Sequence, residues 1–239
     1  MHAVKKTLCI DVGGSGLKAA IITPSGRYVS KRVRVNTPKK RKPRQIVEAL
    51  LKLVAPLGTY DQVTIGFPGA VKHGNVVSAP NFGTEDWKGF ALAAVMQKNF
   101  KKPVKLLNDA DVQGLAVIKG RGLELVCTLG TGFGTAWFRD GELMPHMDLA
   151  HLAMHPKDDF DVVVGDATRR KIGNARWNKR IKRLIAVLQT VFNYDHLYLG
   201  GGNSSDVKFK LPRNVSIVSN SAGMEGGAFV WDRPKKYGA

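Results

Sequence analysis

The sequence is poor in cysteine and has no long apolar run. Its 239 residues include 2 cysteines, Cys9 and Cys127, each within an apolar stretch. So few cysteines exclude a Cys-rich zinc site, and both thiols are expected to be buried and reduced. No apolar run approaches the roughly 20 residues that span a bilayer, and the N-terminus lacks the apolar core of a signal peptide. The sequence therefore predicts a cytoplasmic protein without zinc and without a membrane partner.

Acidic residues are scarce relative to basic ones. Lysine and arginine number 37 against 19 aspartates and glutamates, a formal net charge of +18 at pH 7. Such an excess attracts polyanions such as nucleic acid, an acidic membrane or polyphosphate, although a generally basic solvated surface would have the same composition. The hydrophobic share of 44% is enough for one large domain or for two small lobes with cores of their own.

Two common phosphate-binding motifs are also absent, namely the Walker A loop and a G-x-G-x-x-G that opens a helix. Instead, clustered glycines follow apolar runs in "CIDVGGSGLK" at residues 9–18 and in "CTLGTGFGTAWF" at residues 127–138. Each pattern indicates a strand, a glycine-rich turn and a second strand. The turns could be simple tight hairpins, or their backbone N–H groups could bind phosphate oxygens. Two copies about 120 residues apart favour phosphate binding and predict two similar lobes that face a common cleft.

The rest of the chain alternates strands and helices, which predicts an α/β fold. Apolar patterns indicate a β-meander over residues 7–35, a helix over 45–57 and a long basic helix over 169–192. Residues 36–44, "NTPKKRKPR", form a basic, Pro-containing connector after the meander. Later strands run into "GFPGAV" and "LLNDADVQG", and a closing helix begins at Ala222.

The polar corner "LLNDADVQG" contains Asn108, Asp109 and Asp111 at the end of an apolar strand. Asn and Asp are favoured helix N-caps, and Asp111 suits that role. Several such residues in a row exceed the needs of one cap. A carboxylate such as Asp109 is therefore also a candidate to accept the proton of an attacking hydroxyl in phosphoryl transfer.

The segment "MDLAHLAMH" contains Asp148, His151 and His155. The two histidines are spaced like metal ligands on a helix, but no third or fourth ligand follows nearby. A lone histidine is most often a structural group with a satisfied hydrogen bond. Asp148 and His151 are also candidates to bind the hydroxyls of a sugar.

Taken in order, these motifs resemble the ROK sugar kinases of the actin–hexokinase–Hsp70 superfamily over essentially the whole chain. The matching segments are "DVGGSGLK", "GFPGAV", "APNF", "LNDAD", "LGTGFGTA" and "LGGGNSSD". The resemblance is closest to the polyphosphate glucokinase branch, which shares the compact length and the "WNKR"-type basic helix. It implies a two-lobed, ribonuclease-H-like (actin-like ATPase) fold with a cleft between the lobes, residues 1–107 forming one lobe and residues 108–239 the other. The last helix is a candidate to return to the first lobe.

The resemblance also implies a role for each matching residue. Asp109 matches the general base that takes the proton of the sugar 6-hydroxyl. The matching sugar contacts are Gly69, Asn81, Asn108, Asp148 and His151. Asp11 matches the acid beside the Mg²⁺–phosphate group. The residues that match the phosphate and nucleotide loops are Gly13, Gly14, Ser15, Lys18, Thr131, Gly132, Gly200, Gly201 and Gly202.

The sequence departs from the family pattern around His151. The family reads Glu-x-Gly-His, whereas this chain has Asp148-Leu149-Ala150-His151, and Ala153 replaces an acid that often follows the histidine. A shorter or missing carboxylate can leave a sugar hydroxyl without a partner, so the choice of hexose is open. The family's Cys-rich zinc motif is absent, as in the polyphosphate branch.

The function implied is phosphorylation of a hexose, expected to be glucose at O6, with Mg²⁺ and with ATP, inorganic polyphosphate or both as donor. Eight basic residues between Arg169 and Arg183 suit a polyphosphate chain, or they form the solvated face of an amphipathic helix. The alternatives are an ATP-dependent kinase for another hexose and a non-catalytic sugar-responsive regulator. A nucleic-acid partner is suggested by charge alone and is not expected, and homodimer formation stays open.

Overall fold

The computed structural model describes residues 5–155, 158–218 and 223–231. The chain divides into two compact units: unit 1 is Met1–Ala116 with Ala222–Ala239, and unit 2 is Val117–Ser221. The predicted boundary at 107/108 lies before the helix Asp109–Leu115, whereas the structural division lies after it. That helix packs against strands of unit 1 and therefore belongs to it.

Unit 1 is built on a five-stranded sheet in the order β3-β2-β1-β4-β7. Its strands are β1 (Thr7–Val12), β2 (Gly16–Ile22), β3 (Val33–Asn36), β4 (Gln62–Phe67) and β7 (Val104–Asn108). The first three form an antiparallel meander, and β4 and β7 run parallel to β1. A short hairpin, β5 (Val71–Lys72) and β6 (Asn75–Val76), follows β4.

Alternate residues of β1 point to opposite sides of this sheet, and apolar residues on both sides are buried. Helices therefore cover both faces. Leu8, Ile10 and Val12 pack in a core that includes residues of α1 (Pro43–Val54) and α3 (Leu92–Phe100). Cys9 packs on the other side, in a cluster with residues of the chain's last described segment. The remaining helices of unit 1 are α2 (Thr84–Trp87), α4 (Asp109–Leu115) and α8 (Gly226–Phe229).

The last described segment is held in unit 1 by a small polar network. The Thr64 hydroxyl donates to the carbonyl of Gly227 (2.7 Å) and accepts from the indole N–H of Trp231 (2.8 Å). The ammonium of Lys105 donates to the carbonyl of Val230 (2.7 Å) and lies over the Trp231 ring. These bonds fix α8 against β1, β4 and α4.

Unit 2 repeats the same strand arrangement, in the order β10-β9-β8-β13-β14. The strands are β8 (Leu123–Leu129), β9 (Phe133–Arg139), β10 (Glu142–Leu143), β13 (His196–Gly200) and β14 (Val215–Ile217). β8, β9 and β10 form an antiparallel meander, and β13 and β14 are parallel to β8. The repeated meander with parallel strands beside its first strand confirms the predicted ribonuclease-H-like architecture, once in each unit.

The other elements of unit 2 lie between β10 and β14. They are the 3₁₀ turns η1 (Leu149–His151) and η2 (Ser204–Asp206), the short strands β11 (Ala153–His155) and β12 (Asp158–Asp159), and the helices α5 (Phe160–Val164), α6 (Asp166–Ile172) and α7 (Asn174–Phe192). The buried face of α7, which includes Trp177, Ile181 and Leu184, packs in one core with Leu125 and Cys127 of β8.

Two sequence predictions differ from the structure, and a third cannot be compared with it. The single basic helix over 169–192 is wrong, because Gly173 adopts a φ of +78° and separates α6 from α7. The third strand begins at Val33 rather than near Tyr28, which forms only an isolated bridge to Ile22. The predicted start of the closing helix, Ala222, lies outside the described residues.

Within the described residues, no helix is both long and apolar enough to cross a membrane.

Candidate active site

Several of the predicted site residues lie at one end of the unit 1 sheet, where its parallel strands terminate. Asp11 pairs with Gly66 in the parallel register of β1 and β4, and Phe67 pairs with Asn108 in that of β4 and β7. The carboxyl ends of three adjacent parallel strands therefore meet there. In open α/β sheets, ligands bind outside such ends.

The first glycine-rich turn is a hairpin between β1 and β2. The N–H of Gly13 donates to the carbonyl of Gly16 at 3.0 Å. A Cβ on Gly13 would lie 2.8 Å from that oxygen, whereas a Cβ on Gly14 would meet nothing within 4 Å. Neither residue has a positive φ. Gly13 is thus required by close backbone approach, and Gly14 leaves the backbone of the turn open to a ligand.

Asp11 and Lys18 face each other across this hairpin. They are register partners on β1 and β2, and the Lys18 ammonium lies 2.8 Å from a carboxylate oxygen of Asp11. Both side chains are partly exposed, at 31% for Lys18 and 26% for Asp11. The carboxylate is therefore neutralised by the chain's own cation and remains accessible to solvent.

Two residues that the sequence did not single out also touch this hairpin. The Thr37 hydroxyl donates to the carbonyl of Gly13 at 2.6 Å. A Cβ on Gly16 would lie 2.7 Å from Nε of Arg34, so the guanidinium lies directly against the hairpin backbone. Both contacts come from the edge strand and its connector, and no local sequence signal marks them.

Asn108 links the corner to the loop after β4. Its side-chain oxygen accepts from the N–H of Ala110 at 2.8 Å and caps α4. Its side-chain nitrogen donates to the carbonyl of Gly69 at 3.0 Å. A Cβ on Gly69 would overlap the carbonyl oxygen of Ser78, which explains the glycine there. Asn108 and Gly69 are therefore held together, and their sugar contacts stay predictions.

Asp109 is the first residue of α4 and lies at the same sheet edge as Asp11. Its carboxylate accepts from the N–H of Ala110 at 2.9 Å and is only partly buried. Asn81 is exposed in the segment before α2, where its carbonyl accepts from the Arg41 guanidinium at 2.6 Å. Unit 1 thus brings Asp11, the first hairpin, Asn108 and Asp109 to one edge.

The second glycine-rich turn joins β8 to β9 in unit 2. The N–H of Gly130 donates to the carbonyl of Gly132 at 3.0 Å, which closes the turn around Thr131. The N–H of Phe133 donates to the carboxylate of Asp161 at 2.6 Å. Burial raises the pKa of Asp161, and this bond opposes the rise. Asp161, which the sequence analysis missed, supports the turn from α5.

The glycine triplet after β13 packs on this second turn. Gly201 has a φ of +85°, and a Cβ there would overlap the carbonyl of Leu129. Asn203 donates through its backbone N–H to Leu129 at 2.9 Å and through its side chain to Gly130 at 3.1 Å. The predicted nucleotide loop, Gly200–Gly202, is therefore anchored to the predicted phosphate turn.

Asp148 and His151 lie together at η1. Asp148 accepts from the N–H of Ala150 at 3.3 Å, and its other oxygen lies 3.9 Å from Nε2 of His151. Nδ1 of His151 lies 3.3 Å from a carboxylate oxygen of Asp159. Asp159, on β12, was also missed, and it gives the imidazole an acidic partner that Ala153 cannot supply.

Part of the predicted basic segment is engaged within unit 2. Arg169 pairs with Asp166 at 2.7 Å and with Asp206 at 3.0 Å, and Arg170 pairs with Asp166 at 2.6 Å. Arg180 donates to the carbonyl of Val163 at 3.0 Å. The exposed cations that remain on α7 are Arg176, Lys179, Lys182 and Arg183.

Comparison with known proteins agrees with this arrangement. The ROK family model matches residues 7–155, more than half of the chain. The polyphosphate glucokinase of Mycobacterium tuberculosis (strain CDC 1551 / Oshkosh) is 27% identical over 237 residues, which cover 92% of this chain and 89% of that protein.

Two solved structures share the fold across nearly the whole chain. The inorganic polyphosphate/ATP-glucomannokinase of Arthrobacter sp. strain KM superimposes with a TM-score of 0.85 at 29% identity, covering 96% of this chain and all of that one. A ROK family glucokinase of Streptomyces griseus, in complex with glucose and AMPPNP, gives a TM-score of 0.75 at 18% identity and covers 94% and 98% of the two chains. The chain belongs to the ROK family.

Proposed function

We propose that this protein is a hexokinase-type phosphotransferase that phosphorylates glucose at O6, with inorganic polyphosphate, ATP or both as donor. The observation that carries the proposal is the meeting of Asp109, Asp11 and the first glycine hairpin at one sheet edge. Such a site places a carboxylate base beside a phosphate-binding turn. The Mycobacterium and Arthrobacter relatives, which are a polyphosphate glucokinase and a polyphosphate/ATP-glucomannokinase, support the choice of sugar and donor.

Asp109 acts as the general base. Its partly buried carboxylate begins α4 at the end of β7, where a sugar hydroxyl can approach it. Accepting the hydroxyl proton as the O–P bond forms contributes typically 10²–10⁴-fold to the rate. Asn108 and Gly69 hold the neighbouring loop, and Asn81, Asp148 and His151 bind further sugar hydroxyls.

The glycine hairpins bind the donor. The open backbone at Gly14 and Ser15 offers N–H groups to phosphate oxygens, and Lys18 adds a cation beside them. Thr131 and Gly132 form the second phosphate turn, and Gly200–Gly202 hold the base when the donor is ATP. Phosphoryl transfer depends chiefly on positioning and charge stabilisation, which these groups supply.

The Asp11 carboxylate fits a magnesium ion. Among the described residues, no group of three or more His, Cys, Asp or Glu side chains could hold a metal. Mg²⁺ is commonly bound by one or two carboxylates together with substrate phosphates, and Asp11 offers a partly exposed oxygen pair of that kind. When bound, the ion neutralises charge on the donor phosphates.

A second hexose is the main alternative substrate. Asp148 is one methylene shorter than the family glutamate, and it caps its own turn at Ala150. A hydroxyl that the longer acid would bind is therefore less well matched. Mannose is the first sugar to test, because the Arthrobacter relative is a glucomannokinase.

The decisive test is a coupled assay for hexose 6-phosphate with purified protein, Mg²⁺ and either ATP or long-chain polyphosphate. We expect glucose 6-phosphate with at least one donor, and the assay with mannose ranks the two sugars. Glucose binding without product from either donor would contradict the proposal and favour a sugar-responsive regulator.

A further inference from the structure

The basic connector after the meander, together with the residues just before it, carries several cations that pair with no acid among the described residues. Between Asp11 and Glu48 the chain has no acidic residue. Six exposed cations in this interval form no ion pair or side-chain hydrogen bond with another described residue. One of them, Arg27, lies in the turn after β2. We call the other five the connector surface: Lys31, Arg32, Arg34, Lys39 and Lys40.

The other cations nearby have structural partners. Lys18 pairs with Asp11, Lys42 lies 3.4 Å from Asp86, and Arg44 pairs with Glu48 at 2.9 Å. Arg41 donates to the carbonyl of Asn81 and stacks over the Phe82 ring, 5.6 Å from its centroid. The carbonyl of Arg41 accepts from the indole of Trp87 at 2.7 Å. One end of the connector is thus fixed, and its free charges face solvent.

The other end of the connector surface touches the first hairpin. The Arg34 guanidinium lies against Gly16, and Thr37 holds the carbonyls of Gly13 and Ser15 through its hydroxyl and its N–H. Arg34 is the register partner of Lys18, so Asp11, Lys18 and Arg34 form one row across three strands. Lys39 and Lys40 continue beyond this row along the chain.

We propose that the connector surface binds the part of a long inorganic polyphosphate donor that extends beyond the first hairpin. The inference rests on the proposed function. The row of Lys18 and Arg34 receives phosphates next to the hairpin, and Lys39 and Lys40 bind phosphates farther along. ATP has only three phosphates, which the hairpins hold, so it does not need these lysines.

A polyphosphate chain matches this surface better than a folded acidic partner. Its charges repeat on a flexible backbone, so unpaired cations on an irregular connector can each neutralise one phosphate and release counterions. For single-stranded nucleic acid each such contact contributes about 0.7 to the salt slope, and the same value is taken for polyphosphate. Cations on an edge strand can also serve only to prevent pairing with another strand. In that case their removal would not change the salt dependence of polyphosphate binding.

The test compares two variants with equal charge loss, Lys39→Gln/Lys40→Gln and the control Lys98→Gln/Lys102→Gln. All four lysines are exposed, and the control pair lies at the end of α3 and just beyond it. Binding of fluorescent long-chain polyphosphate is measured by anisotropy over a range of salt concentrations. We expect the first variant to lose about tenfold in affinity at low salt and about 1.4 in salt slope. The control should keep the wild-type affinity and slope.

Four outcomes of this comparison and of two further measurements can overturn the inference. An unchanged affinity in Lys39→Gln/Lys40→Gln would do so, as would an equal loss in the control. If Arg176→Gln/Lys179→Gln loses affinity for polyphosphate and Lys39→Gln/Lys40→Gln does not, the polyphosphate binds on α7 instead. Equal affinity for an oligonucleotide of matched charge would show a general polyanion surface.

Binding and activity measurements together distinguish a failure of the proposed function from a failure of the connector-surface proposal. If polyphosphate binds as expected but no hexose phosphate forms with either donor, the connector surface stands and the kinase assignment falls. If ATP supports glucose phosphorylation but polyphosphate does not bind, the kinase stands and the connector surface falls. Thermal unfolding of both variants confirms that a change in affinity does not arise from misfolding.

Discussion

The ammonium of Lys18 lies 2.8 Å from the carboxylate of Asp11, so the acid that would face the metal is already paired with a cation. In the proposed site, a donor phosphate beside the hairpin would compete for this lysine and free the carboxylate. The proposal therefore predicts that donor binding exposes Asp11.

Substitution Lys18→Met tests this link. It removes the proposed phosphate partner and leaves Asp11 without its cation beside the proposed donor site. We expect the KM for ATP and for polyphosphate to rise by about tenfold each, since one charge-assisted contact is lost. A KM that stays at the wild-type value for both donors would show that Lys18 only neutralises Asp11.

Substitution Asp109→Asn removes the proposed base and keeps the size and polarity of the side chain. We expect kcat to fall by at least about 10²-fold, with glucose binding retained in calorimetry. Asp61→Asn, at the exposed end of another loop, is the matched control and should keep full activity. A smaller loss at Asp109 would assign the base to another group.

Substitution Asp148→Glu restores the family acid. The longer side chain reaches one methylene farther from η1, so we expect a KM for glucose that is lower by a few-fold at unchanged kcat. The hexose 6-phosphate assay measures both constants. If KM rises instead, the pocket is adapted to aspartate or to a different sugar.

Substitution Asp161→Asn probes the second turn through its pH dependence. Burial raises the pKa of Asp161 in the folded state, so the charged form costs stability, and that cost grows as pH rises from the unfolded pKa of about 3.9 through the folded pKa. Asparagine can still accept from the N–H of Phe133. Urea unfolding should therefore show the variant gaining stability relative to the wild type as pH increases, with a plateau near neutrality. A difference that is constant with pH would contradict the raised pKa.

Substitution Thr64→Val tests the network that fixes the last segment. Thr64 is 1% exposed, and its hydroxyl serves both Gly227 and Trp231. Valine keeps the shape but leaves a buried carbonyl and an indole N–H unpaired, which costs about 1–3 kcal/mol of unfolding free energy. Thr190→Val, on the exposed face of α7, should change stability by less than about 0.5 kcal/mol.

The glycine hairpins and the corner could be predicted from sequence because each is a local pattern. Each apolar strand, glycine-rich turn and second strand lies within a short continuous segment, residues 7–22 or 123–139, and Asn108 lies directly before its helix. The supports of these turns were missed because they come from distant segments. Asp161 lies 28 residues from Phe133, and Thr37 lies 24 residues from Gly13.

The break at Gly173 shows a different limit. A glycine inside a helical pattern costs only about 1 kcal/mol, so the apolar spacing alone cannot show whether the helix continues. The ion pair of Arg169 with Asp206 could not be predicted either, because Asp206 is brought near by the tertiary structure. The charge of the segment was therefore predicted, but not which of its cations remain exposed.

The placement of α8 has a consequence for synthesis of the chain. Residues 117–221 form one continuous unit, which can fold as soon as it has left the ribosome, whereas unit 1 also needs Met224 and Ala228 against Cys9, Ala20 and Ile22. During translation the unit that begins the chain is thus the last to be completed. Until α8 emerges, the part of its sheet around Cys9, Ala20 and Ile22 stays uncovered, and chaperone binding at that stage should concentrate on the amino-terminal strands.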